Sequence, residues 1–209
     1  EFDAAISLSQ DLLDSAEALR DTDPTTYGQV MINHGILRVA GGEYELGLSI
    51  IERGMEFLEA RTNPFDEILT NSIMAKGICQ LLLGSLTDAK DTFRRAQHIT
   101  HRHKGVYNKE QLPMISYLAA TNLRQGNSLA ADQQQRFSLK VAEQSYGPNS
   151  IEILPTLVRL GSYFASRGNT IPVVAPTELR LLRNILFRDS INLYLRAIEI
   201  TELNYGVND

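Results

Sequence analysis

Small residues recur at a fixed spacing along this chain of 209 residues. One series has a period of 42 residues and consists of Gly42, Gly84, Gly126 and Gly168. A second series lies seven residues ahead of the first and consists of Gly35, Gly77, Ala119 and Gly161. A period of this length indicates one supersecondary unit repeated along the chain, because stacked units bury a continuous core together. The spacing therefore predicts an all-α solenoid.

Each period reads as a helix A, a glycine turn, a helix B and a polar connector. Pro113 and Pro155 are also 42 residues apart, and proline is well tolerated in the first turn of a helix. The pattern predicts about nine or ten helices in all. We expect a lone helix B in residues 1–20 and four helical hairpins in residues 24–61, 64–103, 109–145 and 150–204.

The glycines within the A helices predict close helix packing. A glycine inside a helix costs about 1 kcal/mol relative to alanine, so each such position needs a compensating contact. Matching small residues in the B helices include Gly47, Ala89 and Ala131. Small residues on both partners allow antiparallel helices to interlock. We expect each A helix to approach the B helix of its own hairpin at these positions.

The residues around the turns resemble a known repeat. Ala-Gly-Gly-Glu-Tyr at 40–44 and Tyr-Gly-Pro-Asn-Ser at 146–150, with glycine in the middle of helix A, resemble the tetratricopeptide repeat. The 42-residue period is similar to the lengthened unit of kinesin light chain. The resemblance implies a single right-handed superhelix over residues 1–209 whose A helices line a concave groove. His34 and Lys76 depart from it, since the family prefers leucine there.

The composition of the chain argues against several classes of function. The formal charge of −5 argues against nucleic-acid binding, which needs a basic surface. The single cysteine excludes an internal disulfide framework. No apolar run is long enough to cross a bilayer, so we expect no membrane insertion. We predict a soluble protein, with the cytoplasm favoured and the periplasm open if a signal segment lies upstream.

The candidate chemical groups do not form a catalytic pattern. His98, His101 and His103 cluster at the end of a helix, but no cysteine or carboxylate lies beside them to complete a metal site. Cations are favoured at a helix C-terminus by its dipole. Cys79 lies in an apolar stretch without a nucleophile signature. We predict no enzymatic activity, no metal and no cofactor.

An insertion of 17 residues interrupts the fourth repeat. The third glycine series, Gly105 and Gly147, reappears at Gly206 after 59 residues instead of 42. This shift places the insertion within residues 169–187. Residues 170–176 read as an extended apolar segment, and residues from Thr177 onward as an amphipathic helix. That helix could be short or run unbroken from 177 to 204, and the insertion could be a packed loop or a binding flap.

The concave groove implied by the resemblance is the candidate binding site. The exposed side of the A helices is predicted to carry the following residues: Ile32, Asn33, Ile36, Asn71, Met74, Ile78, Ser116, Tyr117, Val158, Arg159 and Ser162. Apolar pockets combined with amide and phenol groups suit an extended or helical peptide. We predict a non-catalytic adaptor or scaffold, part of a longer protein, with a protein or peptide partner.

A second interpretation stays open. Residues 1–20 lack a helix A, and Tyr205-Gly206-Val207-Asn208 repeats a connector as though another unit followed. The alternative function is a structural segment that self-associates into a homo-oligomer through these open ends of the solenoid.

Overall fold

A computed structural model describes residues 2–206. Within these residues the chain contains α-helices and short 3₁₀ turns and no β-strand. The α-helices in this range are α1 Phe2–Ala16, α2 Pro24–Ala40, α3 Tyr44–Glu59, α4 Thr70–Leu82, α5 Leu86–Lys104, α6 Leu112–Arg124, α7 Ser128–Tyr146, α8 Leu154–Asn169 and α9 Thr177–Tyr205. The all-α class is confirmed, and each predicted hairpin contains one helix pair.

The A helices of the last three hairpins begin later than the sequence predicted. Each is preceded by a 3₁₀ turn, at Glu67–Leu69, Lys109–Gln111 and Ile151–Ile153. A side-chain oxygen of the residue before each turn accepts a backbone N–H two residues ahead. These capping residues are Asp66, Asn108 and Ser150, and they are also 42 residues apart. The cap provides the acceptor that the first free N–H groups of a helix require.

The chain divides into two compact units. Unit 1 comprises residues 1–105 and 113–131, and unit 2 comprises residues 106–112 and 132–209. Unit 1 therefore contains α1 to α5, most of α6 and the first turn of α7. Unit 2 contains the rest of α7 with α8 and α9. A single solenoid spanning residues 1–209 stays a prediction.

Glycine allows close helix packing in unit 1, as predicted. A Cβ atom on Gly35 would lie 2.8 Å from the Ile51 side chain and 2.9 Å from the carbonyl oxygen of Gly47. A Cβ atom on Gly77 would lie 2.6 Å from the Phe93 ring. Real Cβ atoms do not approach neighbours this closely, so only glycine fits in the present packing.

The core of unit 1 shows how consecutive hairpins stack. Ile32 and Ile51 of the α2–α3 hairpin are buried in one cluster with Leu69 and Ile73. The following hairpin therefore covers the side of α2 and α3 that carries these residues. Burial of such large apolar side chains stabilises the fold by roughly 1.5–3 kcal/mol each.

Unit 2 is built around the α8–α9 hairpin. Phe164, Leu160 and Leu186 form a buried cluster with Ile171 from the inserted segment. Between α7 and α8, the Tyr163 hydroxyl donates to Asp132 Oδ1 over 2.6 Å. Arg167 Nε donates to the same oxygen over 3.3 Å. The Asp132 carboxylate thus has a phenol and a guanidinium partner, as a half-buried charge requires.

The insertion continues directly into the last helix. Helix α9 is a single helix of 29 residues, Thr177–Tyr205. Of the two predicted alternatives, the unbroken helix is therefore the one observed. Ile171 is 9% exposed and anchors the preceding segment in the core of unit 2.

Candidate functional site

The A helices of unit 1 share an accessible stripe. It takes positions i, i+4, i+7 and i+11 of each helix, which lie on one side of an α-helix. We name it the A-helix stripe. Its residues are Gln29, Asn33, Ile36 and Ala40 in α2, Asn71, Ala75, Ile78 and Leu82 in α4, and Pro113, Tyr117, Ala120 and Arg124 in α6. All of these residues are half-buried or exposed.

The stripe combines apolar surface with carboxamides. Ile36 and Ile78 are half-buried, whereas Asn33 and Asn71 are exposed. A carboxamide offers both donors and an acceptor, so it can bond either the N–H or the C=O of a peptide backbone. The Tyr117 ring is stacked on Phe93, with ring centroids 5.1 Å apart and an interplanar angle of 12°. This stacking fixes the orientation of Tyr117.

One residue predicted to line the groove is buried. Ile32 is 2% exposed and lies in the core with Leu69 and Ile73. Met74, one period later, is half-buried and packs against two core clusters. Ser116 is half-buried. The interpretation of Ile32 as a groove residue is wrong, because its side of α2 faces the next hairpin.

The predicted residues on α8 belong to unit 2. Val158 is 46% exposed, and Arg159 and Ser162 are exposed. The Ser162 hydroxyl is 2.8 Å from the Tyr194 hydroxyl of α9. The structure thus places Asn33, Ile36, Asn71, Ile78 and Tyr117 in unit 1, and Val158, Arg159 and Ser162 in the other unit.

Leu82 is one of the stripe residues that the sequence did not predict. It lies at the end of α4 and is 49% exposed, which gives the stripe its most exposed large apolar side chain among the described residues. Its counterparts one period away are Ala40, which is much smaller, and Arg124, which is charged. Only the helical position, 11 residues after Asn71, could have identified it.

A buried histidine joins α1 to α2 on another face of unit 1. His34 is 2% exposed. Its Nε2 accepts a hydrogen bond from Arg38 Nε over 3.0 Å, so Nδ1 carries the proton and donates to Ser9 Oγ over 2.7 Å. Ser9 in turn donates to the Ile6 carbonyl. Burial and the nearby Arg38 guanidinium lower the pKa of His34, against the opposing effect of Asp14 and Glu43.

A cavity of about 430 Å³ lies beside this histidine, between α1, α2 and α3. Its lining includes the apolar residues Leu13, Met31 and Ile50 and the charged residues Asp14 and Arg53. The lining mixes opposite charges, so the cavity has no strong preference for one ligand charge.

The cysteine and the histidines differ in their surroundings. Cys79 is 1% exposed, and burial raises the pKa of its thiol to about 11. His103 Nε2 is 2.9 Å from the Phe65 carbonyl oxygen, and His98 is exposed. Across residues 2–206 no three histidine, cysteine, aspartate or glutamate side chains are grouped to hold a metal ion.

No helix in the described part of the chain has the length and apolar character needed to span a bilayer.

Solved structures are similar to this chain over nearly its whole length. Kinesin light chain TPR-like repeats from Podosopora anserina match with a TM-score of 0.74 and 11% identity, over 97% of this chain and 88% of the other. BtubC (BKLC) from P. vanneervenii matches with a TM-score of 0.65 and 14% identity, over 100% of this chain and 94% of the other.

MamA matches with a TM-score of 0.57 and 12% identity, over 95% of this chain and 91% of the other. No family model matches the sequence, and no curated protein matches it. Identities this low carry information about the fold alone. The chain therefore has the fold of the tetratricopeptide-like helical repeat proteins.

Proposed function

We propose that the protein is a non-catalytic adaptor that binds a peptide segment on the A-helix stripe. The observation that carries this proposal is the chemistry of the stripe: half-buried Ile36 and Ile78 lie beside exposed Asn33 and Asn71 on α2 and α4, and half-buried Tyr117 extends the stripe to α6. Apolar contacts supply affinity, and a few polar groups fix the orientation of a bound chain. The fold supports a role in protein interaction in general, although a fold alone does not specify a ligand.

The charge of the stripe defines the kind of peptide. Arg124 is its one charged member, and it donates to the Leu81 carbonyl at the end of α4. Because no cluster of cations lies among the twelve stripe residues, a ligand held by a terminal carboxylate is disfavoured. We expect an apolar segment whose backbone amides bond to Asn33 and Asn71.

A displayed peptide library tests the proposal. Peptides are selected on the immobilised chain, and their dissociation constants are measured for the parent and for an Asn33→Arg/Asn71→Arg double variant. Each arginine adds bulk and charge to the apolar stripe, so we expect affinity to fall by at least about tenfold, which corresponds to about 1.4 kcal/mol.

The matched control is Gln144→Arg/Asn184→Arg, which changes two exposed amides of unit 2. It adds the same charge and should leave affinity unchanged. Circular dichroism and sedimentation velocity verify that both variants keep the fold and the molar mass. Equal losses in the two double variants, or selected peptides that bind both as well as the parent, would refute the stripe as the site.

A further inference from the structure

The inserted segment exposes two valines at the apex of a tight turn. The Ala175 N–H donates to the Pro172 carbonyl over 3.1 Å, which places Val173 and Val174 at the two central positions. These side chains are 68% and 93% exposed. Central turn positions favour glycine, asparagine, aspartate and proline for conformational reasons. Neither local conformation nor packing therefore explains a pair of β-branched apolar residues there.

The turn is held in place by the residues on either side of the valines. Ile171 is buried, and Ala175 is half-buried in the same cluster with Leu182 and Leu186 of α9. Since the flanking residues point into this cluster, the valines point away from it. Leu181 and Ile185 are offset from Leu182 and Leu186 by about 100° around α9, and are 58% and 41% exposed. The insertion therefore presents apolar side chains from two adjoining elements.

Cations accompany this apolar surface. Arg180 and Arg188 are eight residues apart, so they lie on one side of α9, beside Leu181. Arg180 contacts the Thr177 hydroxyl at 3.4 Å. Arg188 is 4.0 Å from Asp189, whose carboxylate is already engaged by Arg136 at 2.5 Å. The Arg188 side chain is 69% exposed, so its charge faces solvent.

Charge is distributed unevenly along the chain. Residues 170–188 contain three arginines and one glutamate, for a local charge of +2, whereas the whole chain has a charge of −5. Unit 2 has nine basic and nine acidic residues. The entire net negative charge therefore belongs to unit 1, and the insertion is a basic segment within a neutral unit.

We propose that residues 172–188 form a peripheral docking site for an anionic lipid surface. Apolar side chains that project from a turn apex can enter the interfacial region of a bilayer, and neighbouring arginines attract the negative headgroups. Stable peripheral binding needs two such signals, because one alone is weak and reversible. The insertion supplies both, and it is absent from the other repeats. This site is separate from the A-helix stripe and does not depend on the proposed peptide binding.

Vesicle partitioning tests the proposal. The chain is mixed with phosphatidylserine-rich vesicles or with pure phosphatidylcholine vesicles, and the bound fraction is measured by flotation. We expect binding to the phosphatidylserine-rich vesicles, weaker binding at high salt, and at least about tenfold weaker partitioning for Val173→Ser/Val174→Ser and for Arg180→Glu/Arg188→Glu. Val158→Ser and Arg53→Glu/Arg94→Glu are the matched controls, because they change exposed valine and arginine residues elsewhere.

A tryptophan reporter distinguishes lipid contact from other causes. The chain has no tryptophan, so Val174→Trp places a unique fluorophore at the apex. We expect its emission to shift to the blue with phosphatidylserine-rich vesicles, while Leu129→Trp, at a residue 70% exposed in unit 1, does not shift.

Three results would overturn the proposal. One is a parent chain that stays in the aqueous fraction with phosphatidylserine-rich vesicles. Another is equal loss of binding in the insertion variants and their controls. The last is a Val174→Trp shift that rises with protein concentration in the absence of vesicles, because that shift would assign the apex to a protein contact.

Discussion

His34 occupies a helix position that holds Lys76 in the next repeat and leucine, Leu118 and Leu160, in the two repeats after it. Its two ring nitrogens are both engaged, by Ser9 of α1 and by Arg38 of α2. A protonated ring would place a second cation against the Arg38 guanidinium at 3.0 Å, in a site where the imidazole is nearly inaccessible. The hydrogen bond between α1 and α2 thus favours a neutral imidazole.

We predict that α1 becomes less protected as the pH falls below about 6.5, the usual pKa of histidine in an unfolded chain. The pKa of His34 is lowered in the folded state, so below pH 6.5 the unfolded form binds a proton that the folded form does not. Stability is therefore lost on acidification, by at most about 1.4 kcal/mol per pH unit. Hydrogen exchange of the α1 amides at mildly acidic and neutral pH measures this loss.

His34→Leu should remove this pH dependence, whereas His98→Leu, at an exposed histidine, should keep it. An identical pH profile for the parent and His34→Leu would assign the effect to other groups.

Gly77 provides a second prediction at this scale. Gly77→Ala should destabilise the chain by about 1–3 kcal/mol, because the added methyl group meets the Phe93 ring and overpacks the core. In an open helix the same change would stabilise by about 1 kcal/mol, so the sign of the effect is diagnostic. Urea denaturation measures the free energy of unfolding.

Combining Gly77→Ala with Phe93→Leu relieves the contact. The double variant should therefore lose less stability than the sum of the two single variants, which is the signature of direct coupling. Additive losses would show that the ring already moves aside for the methyl group.

At the scale of helices, an arginine with the same kinds of hydrogen-bond acceptor occurs in both units. Arg95 Nη2 donates to Glu59 over 2.7 Å and to the Pro64 carbonyl over 2.8 Å. In unit 2, Arg196 donates in the same way to Glu143 and to the Pro148 carbonyl. Each arginine thus joins its own B helix to the preceding B helix and to the connector that follows that helix.

We predict that Arg95→Ala lowers the free energy of unfolding by about 1 kcal/mol, since a half-buried ion pair and a charged hydrogen bond are lost together. Arg94→Ala is the control, because Arg94 has a long and exposed contact of 3.6 Å with Asp91; it should change stability by less than about 0.5 kcal/mol. Equal effects would mean that the geometry at Arg95 adds nothing. Urea denaturation at low and high salt is the measurement.

The helices were predictable from sequence because their period and glycine positions are encoded locally. The late start of α4 and α6 could also have been predicted from the sequence, since Asp66 and Asn108 share the 42-residue period with the serine cap at Ser150. The groove was less predictable. Ile32 and Asn33 are adjacent, about 100° apart around the helix, and only the packing of the next hairpin decides which of them is covered.

At the scale of the whole molecule, unit 1 contains stacked hairpins, and unit 2 contains the α8–α9 hairpin with most of α7. Repeat proteins are stabilised by contacts within a unit and between nearest neighbours. A core substitution should therefore act most strongly on its own unit. Phe93 and Phe164 are suitable probes, because both are fully buried and they lie in different units.

We predict that Phe164→Ala removes about 3–5 kcal/mol and speeds amide exchange chiefly in residues 154–205. Phe93→Ala should remove a similar amount and act chiefly on residues 70–104. Hydrogen exchange monitored by mass spectrometry separates the two patterns. Uniform acceleration along the chain in both variants would instead demonstrate one cooperative unit.

Chemical labelling of the Cys79 thiol can measure the opening of the core of unit 1. Its sulfur is sealed from solvent and its pKa is raised to about 11, so at neutral pH a thiol reagent has no thiolate to attack in the closed state. Modification of the Cys79 thiol therefore requires the surrounding helices to separate. The rate of labelling of the unaltered chain therefore reports how often that core opens, without an added probe.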